Sequence, residues 1–164
     1  MHTRLRWFTI EGSQLTERVP FTNQALAVLP GTGANSLGAG PDGMLYAAST
    51  QIFRIDPDTG ANEVIGMLPP GHSSSGDLVF VGDDMFISTD GPCGGSLVGF
   101  DLGTSTASVL GGDGLGCVYG LAAWQDQIFV VDCSGQVGIF DVDSGLVQVL
   151  STTSIETYGA DLLP

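Results

Sequence analysis

Hydrophobic residues recur along the chain in short runs that polar turn residues interrupt. In residues 45–66, for example, one apolar run ends at the turn formed by residues 56–60, and a second apolar run follows it. The runs are rich in Val, Ile, Phe and Tyr and are bounded by Gly, Asp, Ser and Pro, which is the pattern of β-strands. We find no run with sustained apolar residues at helical spacing. The sequence therefore predicts an all-β protein.

These runs belong to a repeated unit. An aromatic residue recurs at Tyr46, Phe86 and Phe129, spaced by 40 and 43 residues, and Asp56, Asp101 and Asp141 each open an equivalent turn. A period of about 42 residues with four short strands per copy, named a to d here, is typical of a β-propeller blade. The predicted a strands, which would lie innermost in the propeller, are residues 36–40, 77–81 and 118–124.

The two ends of the sequence match parts of the same unit. Phe8 takes the Tyr46 position 38 residues earlier, and the final ETYGADLLP matches the start of a blade. We therefore predict one propeller domain over residues 1–164. Its blades cover about 35–68, 76–110 and 117–150, and a closing blade takes strands b, c and d from residues 1–30 and strand a from residues 157–164. Sharing a blade between the termini closes the ring without an open edge; a fragment of a larger propeller is the alternative.

Four repeats allow two assemblies. One chain could close a four-bladed ring, or two chains could pair into an eight-bladed ring, with exchange of terminal strands as one route to the dimer. The predicted a strands are rich in glycine and alanine, including Gly38, Gly120 and Gly159. Small residues let strands crowd around a narrow axis, so we favour the monomeric ring over the homodimer.

The charge composition limits which kinds of molecule the protein can bind. The chain carries 18 acidic residues, four arginines and no lysine, for a net charge of −14. Such a surface repels phosphate backbones and anionic lipid, so nucleic acid is an unsuitable partner. No apolar run reaches the roughly 18 residues that a membrane span needs, and the start MHTRLRW does not resemble a signal peptide. We predict a secreted or periplasmic protein whose leader has been removed, or a cytoplasmic one if Met1 is the native start.

The repeats resemble a known group of blades. The segment GPDGMLYAASTQIFRIDPDTG, at residues 40–60, is similar to the blades of bacterial β-propellers of the YVTN, PQQ-like and NHL-like kinds. The resemblance extends over nearly the whole chain and implies the propeller fold. It implies no activity, because propellers support enzymes, lectins and scaffolds alike.

Two motifs suggest chemistry but have simpler explanations. The turns DPDTG and DVDSG place aspartates at alternate positions, as calcium loops do, but Met67 and Thr152 stand where the final glutamate ligand belongs. GHSSSG, at residues 71–76, lacks the spacing and the following helix of a nucleophile elbow. We interpret the first two as hairpin turns and the third as a flexible polar loop. The sequence thus predicts no catalytic residue, no metal site and no cofactor.

The three cysteines suggest a possible disulfide. Cys117 precedes strand a of the third full copy and Cys133 ends strand b of the same copy, which places them almost opposite each other across an antiparallel pair. Cys93 stands at the equivalent end of the preceding blade and could replace either partner. Free buried thiols are the alternative. A disulfide would support the extracytoplasmic location.

The same cysteines indicate where binding would occur. The b–c and d–a connections emerge on one face of a propeller, and they are longer and more varied than the turns on the other face. This face would carry six candidate binding residues: His72, Asp90, Cys93, Asp113, Asp132 and Glu156.

Two classes of function remain. The first is a non-catalytic binding or scaffold domain that presents this face to a protein or glycan. The second is a lactonase-like or other metal-dependent hydrolase with an ion at the ring centre. That class needs several inward-pointing oxygen or nitrogen ligands, and the predicted a strands offer only Asp77 and Asp161. We therefore favour the binding domain and leave the enzyme as the alternative.

Overall fold

A computed structural model describes residues 6–11, 14–19, 22–28, 33–112 and 115–152, and every regular element in these ranges is a β-strand. The first sheet consists of β1 (Trp7–Glu11), β2 (Gln14–Val19) and β3 (Thr22–Val28). The second consists of β4 (Ser36–Ala39), β5 (Leu45–Ala48), β6 (Gln51–Ile55) and β7 (Asn62–Met67). The third consists of β8 (Ser73–Val81), β9 (Asp84–Gly91), β10 (Gly94–Asp101) and β11 (Thr106–Gly111). The fourth consists of β12 (Val118–Trp124), β13 (Gln127–Asp132), β14 (Gln136–Asp141) and β15 (Leu146–Thr152).

The prediction of an all-β propeller with four repeats is confirmed. Within each sheet, neighbouring strands pair antiparallel in chain order, as expected for blades joined by hairpins. The first sheet has three strands in the described residues, matching the predicted b, c and d. Its expected partner, strand a at residues 157–164, lies outside the described residues, as do Asp113, Glu156 and Asp161.

The sheets pack through three apolar clusters, one at each junction between consecutive sheets. Alternation along a strand sends one set of side chains to the preceding sheet and the other set to the following sheet. Tyr46 is directed toward the third sheet, where it packs with Leu78, Met85 and Ile87. Phe86, at the same place in the next repeat, packs with Leu121 and residues around it in the fourth sheet. The recurring aromatic position is therefore a junction residue.

The first strands of the complete sheets lie side by side: β4 contacts β8, and β8 contacts β12. Glycine permits this approach. A Cβ atom on Gly76 would lie 2.8 Å from the backbone oxygen of Tyr119 in β12, closer than real Cβ contacts. A Cβ on Gly38 would collide with the side chain of Leu78 in β8. Glycine thus lets neighbouring first strands approach each other closely.

The third sheet differs from the sequence prediction at its start. Strand β8 begins at Ser73 rather than Asp77, and its pairing with β9 shifts between Ser74 and Leu78. The intervening residues bond to the next sheet: Ser75 Oγ donates to Val118 O, and Asp77 Oδ2 accepts from Leu121 N. Interpreting these serines as a flexible loop was wrong, because bonds to a neighbouring repeat hold them in extended conformation.

Candidate functional site

The ends of the sheets form two faces with different connections. We call the end with the b–c and d–a connections the loop face; its described segments are residues 49–50, 68–72, 91–94, 112, 115–117 and 133–135. The opposite end, the turn face, carries the a–b turns at residues 40–44, 82–83 and 125–126 and the c–d turns at residues 56–61, 102–105 and 142–145. All six candidate binding residues were predicted for the loop face.

Backbone hydrogen bonds connect successive segments of the loop face. Leu68 N donates to Thr50 O at 3.0 Å, and Ser74 N donates to Ser49 O at 2.8 Å. Further along the face, Gly95 N donates to Gly116 O at 3.3 Å. These bonds satisfy backbone groups that would otherwise need water. They make the loop face a continuous surface of loops from different repeats.

A disulfide fastens one end of this surface. Cys117 and Cys133 are bonded, with a Cα–Cα distance of 5.6 Å, and Cys133 N also donates to Cys117 O at 3.0 Å. This pairing is the one predicted from their opposed positions across strands a and b. Cys93 is free and exposed, so the alternative pairing through Cys93 is not the one formed.

His72 lies in a polar cluster that the sequence analysis missed. Its Nδ1 is 3.2 Å from Thr89 Oγ1 and 3.3 Å from Ser96 Oγ, and the two hydroxyl oxygens are 2.9 Å apart. Thr89 and Ser96 are buried, whereas His72 is half-buried. The imidazole lies over Gly91, where a Cβ would lie 2.8 Å from Nδ1. The cluster fixes the ring at the edge of the loop face.

The partners of His72 were missed because they lie on other strands, 17 and 24 residues away. One signal was available in the repeat. Thr89 ends a b strand, as Ser49 and Asp132 do in their repeats, and each has an oxygen that can bond to the turn that follows. This shared position identifies a turn residue but does not identify its histidine neighbour.

The carboxylate of Asp132 is committed to its own turn. Asp132 is buried, and its Oδ1 accepts bonds from Ser134 N, Ser134 Oγ and Gln136 N at 2.7–2.9 Å. Asp77, the inner-strand acid considered as a metal ligand, accepts from Leu78 N and Leu121 N through its two oxygens. Both carboxylates stabilise the backbone. Asp90, by contrast, is exposed on the loop face.

Charge is distributed unequally between the two faces. Nine aspartates lie in or directly beside the described turns of the turn face: Asp42, Asp56, Asp58, Asp83, Asp84, Asp101, Asp126, Asp141 and Asp143. Where the described strands end at the loop face, the exposed acids are Glu11, at the end of β1, and Asp90, near the end of β9. Exposed apolar side chains stand there instead, at Met67, Pro70, Pro92 and Cys93. The loop face is thus a weakly charged region of a strongly acidic protein.

The turn-face aspartates stabilise their own hairpins. Asp101 Oδ1 accepts bonds from Gly103 N at 2.7 Å and Thr104 N at 3.0 Å. Backbone bonds, first from Thr104 and then from Gly103, hold the pKa of Asp101 below its usual value, because they favour the charged form. Bonds from Asp58 N and Thr59 N lower the pKa of Asp56 in the same way. The interpretation of these motifs as hairpin turns agrees with this geometry.

The acidic turn face also contains a cleft. It has a volume of about 440 Å³ and lies between the second and third sheets, where Asp42, Asp83, Asp84 and Asp101 line it. Burial raises the pKa of Asp42, but hydrogen bonds from Met44 N, Arg54 and Tyr46 outweigh this effect and the pKa is lowered. In the described ranges, no three His, Cys, Asp or Glu side chains are grouped as metal ligands.

No protein-family model matches the sequence, and no curated protein matches it. Solved structures do resemble the fold. A protein of unknown function from Bacteroides thetaiotaomicron has 12% identity and a TM-score of 0.77, over 96% of this chain and 51% of its own. Regucalcin from Agrobacterium tumefaciens, described as a calcium-binding protein, has 20% identity and a TM-score of 0.61, over 88% of this chain and 54% of its own. A chain of the nidogen/laminin complex has 11% identity and a TM-score of 0.54, over 96% of this chain and 82% of its own.

These likenesses support the propeller fold and, at such low identity, no more than the fold. The chain spans about half the length of the first two structures that it resembles. Across the part of the chain that the structure describes, no helix has the length and apolar character needed to cross a bilayer.

Proposed function

We propose that this protein is a non-catalytic binding or scaffold module that presents its loop face to a protein ligand. One observation carries the proposal: the loop face is weakly charged and rigidly held, whereas the opposite face of the same sheets is crowded with aspartates. The cores of protein interfaces are depleted in charged side chains, because desolvating a charge is costly.

Rigidity supports the proposal through the entropy of association. Binding to a mobile loop costs free energy, since the loop must be ordered, and a preformed surface avoids that cost. On the loop face, the Cys117–Cys133 disulfide, the Asp132 turn and the bond between Gly95 and Gly116 hold neighbouring loops together. The disulfide and the bond between Gly95 and Gly116 join separate segments of the chain, whereas the Asp132 bonds hold a single turn. Together they support a surface that keeps its shape without a ligand.

Exposed side chains support a protein ligand over a glycan. Met67, Pro70 and Pro92 offer apolar surface with little rotamer freedom at the prolines, which suits contact with apolar side chains. A glycan would instead require several polar groups directed outward. His72 is already bonded to Thr89 and Ser96, which leaves the exposed side chains of Thr50, Asp90 and Ser134 as the polar groups for such a ligand. In the nidogen/laminin complex, a propeller of similar fold assembles with another protein.

The alternative function is a metal-dependent hydrolase of the lactonase type, with an ion at the ring centre. Regucalcin, which shares the fold, is described as a calcium-binding protein. Asp77 argues against this alternative here, because its oxygens accept backbone bonds that link the third and fourth sheets. Elemental analysis and Ca²⁺ titration of the purified protein separate the two functions. A tightly held, stoichiometric divalent ion would favour the hydrolase.

We further propose an extracytoplasmic location. The disulfide between Cys117 and Cys133 supports it, because such bonds persist mainly in oxidising compartments. The net charge of −14 and the absence of lysine support a surface that avoids nucleic acid and anionic lipid.

Panning a displayed random-peptide library and a glycan array against the oxidised chain tests the binding function. Selected peptides should bind the loop-face variants Met67→Asp and Pro92→Asp about tenfold or more weakly, the loss expected for a central interface residue. Val142→Asp, an exposed apolar residue on the turn face, is the matched control and should leave binding unchanged. Peptides that lose affinity only for Val142→Asp would place binding on the wrong face. Glycan hits with no peptide hits would replace the protein ligand by a glycan.

A further inference from the structure

The fourth sheet has an apolar face that no described sheet covers. On the side directed away from the third sheet, Phe129 pairs with Ile139 and Val131 pairs with Val137. We call these four residues the outer face of the fourth sheet. Val131 is buried, whereas Phe129, Val137 and Ile139 are half-buried. The pairs form an apolar surface across the two central strands.

The repeat identifies what such a face contacts. Phe129 occupies the position of Tyr46 and Phe86. Tyr46 is 1% exposed against the third sheet, and Phe86 is 7% exposed against the fourth. At each of these junctions the aromatic residue is buried by the sheet that follows. The outer face of the fourth sheet therefore has the composition of a junction surface that receives another sheet.

The first sheet has the complementary exposed face. Its residues directed away from the second sheet include Trp7, Thr9 and Arg18, which we call the outer face of the first sheet. Trp7 is 66% exposed, whereas the same repeat position is 6% exposed at Leu45 and 1% at Ile128. Each of those residues is buried against the sheet that precedes it. Trp7 therefore lies on the face that, in the other repeats, packs against the preceding sheet.

The described sheets contact one another in series. Contacts connect β1 to β4, β4 to β8, and β8 to β12, in chain order. The same arrangement superposes on 51% of the Bacteroides chain and 54% of regucalcin. In a ring of more than four sheets, the two outer faces of one chain do not meet each other. A second copy, related by a twofold axis, can cover both at once.

Charge favours this pairing of unlike faces. Residues 117–152 carry four aspartates and no basic residue, whereas the outer face of the first sheet carries Arg18 together with a single acid, Glu11. Arg18 lies directly opposite Trp7 on the neighbouring strand and donates to Thr9 Oγ1 at 2.9 Å. A cleft of about 640 Å³ at the turn-face end of the fourth sheet is lined by Asp126, Asp141, Ile139 and Leu146 among others. An indole and a guanidinium match this mixture of apolar and acidic groups.

Within the chain, Arg6 already pairs with an acidic turn of a neighbouring sheet. It extends from the first sheet to the turn of the second, where it pairs with Asp58 and donates to Pro57 O at 2.7 Å. A basic residue of the first sheet thus already joins an acidic c–d turn at one junction.

We propose that two copies of this chain associate through these surfaces. The outer face of the first sheet of each copy packs against the outer face of the fourth sheet of the other, which gives two identical junctions and a ring of eight sheets. This inference is independent of the proposed function, because the loop face is not part of either junction.

Light scattering coupled to size exclusion tests the dimer. The oxidised 164-residue chain should elute with twice the chain mass of 16.9 kDa. Trp7→Glu and Ile139→Glu should each yield monomers, whereas Val109→Glu, at an exposed apolar residue of the third sheet, should remain dimeric. Circular dichroism should show unchanged strand content in Trp7→Glu, because that side chain is already mostly exposed in the single chain. A wild-type monomer at 100 μM, or a dimer that survives both charged substitutions, would overturn the proposal.

Mixing the two monomeric variants provides a second test. In a mixed dimer, the Trp7→Glu chain still has Ile139 and the Ile139→Glu chain still has Trp7. These two wild-type residues meet at one of the two junctions, and the other junction carries both substitutions. The mixture should therefore contain dimers at concentrations where each variant alone is monomeric. If the mixture stays monomeric at every concentration at which the wild type is dimeric, the head-to-tail geometry is wrong.

Discussion

On the turn face, the aspartates of the c–d turns make local bonds, whereas several contacts at or beside the loop face join distant parts of the chain. Asp56, Asp101 and Asp141 accept bonds from N–H groups two or three residues further along. Loop-face contacts span 16 residues at the disulfide and 43 between Ser75 and Val118. The c–d turns therefore form mainly from residues of their own repeat, whereas the start of β8 depends on bonds to the following sheet.

Loss of the loop-face disulfide should have the largest effect on the stability of the protein. Replacing Cys117 and Cys133 together by alanine should lower the free energy of unfolding by about 3 kcal/mol, as expected for a loop of this length. Urea denaturation measures the change. Cys93→Ala is the control, since Cys93 is free and exposed, and it should have little effect. If the double variant and Cys93→Ala were equally stable, the disulfide would not contribute to the stability of the loop face.

Replacement of Asp132 should cause the second-largest loss of stability. Asp132→Ala removes three hydrogen bonds from a buried turn and should cost about 2–3 kcal/mol, because the freed N–H groups lose a charged partner. Asp101→Ala, the comparable change on the turn face, should cost less, since its turn is exposed and water can replace the carboxylate. Chemical denaturation of both variants gives the ranking. A reversed order would show that burial of the loop-face turn does not increase its dependence on the aspartate.

Gly76→Ala tests the contact between inner strands. The added Cβ would press on the backbone oxygen of Tyr119, and relieving that contact should cost about 1–3 kcal/mol. Gly116→Ala is the matched control on the loop face, because a Cβ there meets no atom within 4 Å. Thermal melting of the two variants compares them. Similar melting temperatures would mean that β8 and β12 can separate at little cost.

The smallest effect is the pH dependence of the turn face. The pKa values of Asp56, Asp101 and Asp141 are lowered by backbone bonds, so the stability they contribute is complete above their unfolded pKa of about 4 and is lost as the pH falls through the folded values. Replacing all three by asparagine should therefore flatten the fall in stability below about pH 4, as urea midpoints at successive pH values will show.

A charge-matched variant distinguishes these bonds from general repulsion. Asp83, Asp84 and Asp143 are exposed on the same face, and replacing them by asparagine removes the same charge. This variant should keep the steep acid dependence of the wild type. Flattening to the same degree in both variants would attribute the effect to net charge rather than to the turns.

The repeat pattern in the sequence was sufficient to predict the blades, because alternation and turn residues act within a few positions of the chain. The recurring aromatic position was found in this way, and its role at the junctions follows from strand alternation. One turn departs from the expected chemistry. Ser105 has a φ of 56° where Gly60 and Gly145 stand in the other repeats, so this hairpin takes the left-handed conformation without a glycine.

The sequence predicted which residues lie on the loop face but not most of the contacts between them. Cys117 and Cys133 could be matched because one hairpin relates them, and counting from its turn gives their register. His72 and Thr89 could not be matched, since their contact depends on how a d–a connection crosses onto the next sheet. Asp132 was assigned to a binding surface by its position, whereas its bonds commit it to a turn. The predicted binding roles of all six candidates remain predictions, and Asp113 and Glu156 also lie outside the described ranges.

The sequence by itself determined the all-β class, the period of the repeat and the turns at which each strand ends, because these depend on interactions between residues close together in the chain. Only the tertiary structure decided which residues meet between repeats: the bonds of Ser75 and Asp77 to β12, the polar cluster around His72, and the positions of the exposed Trp7 and the half-buried Phe129 on the two outer faces. Those contacts depend on how one sheet packs on the next. A repeating sequence specifies each sheet in the same way, but the environment of a side chain depends on which neighbour its sheet has.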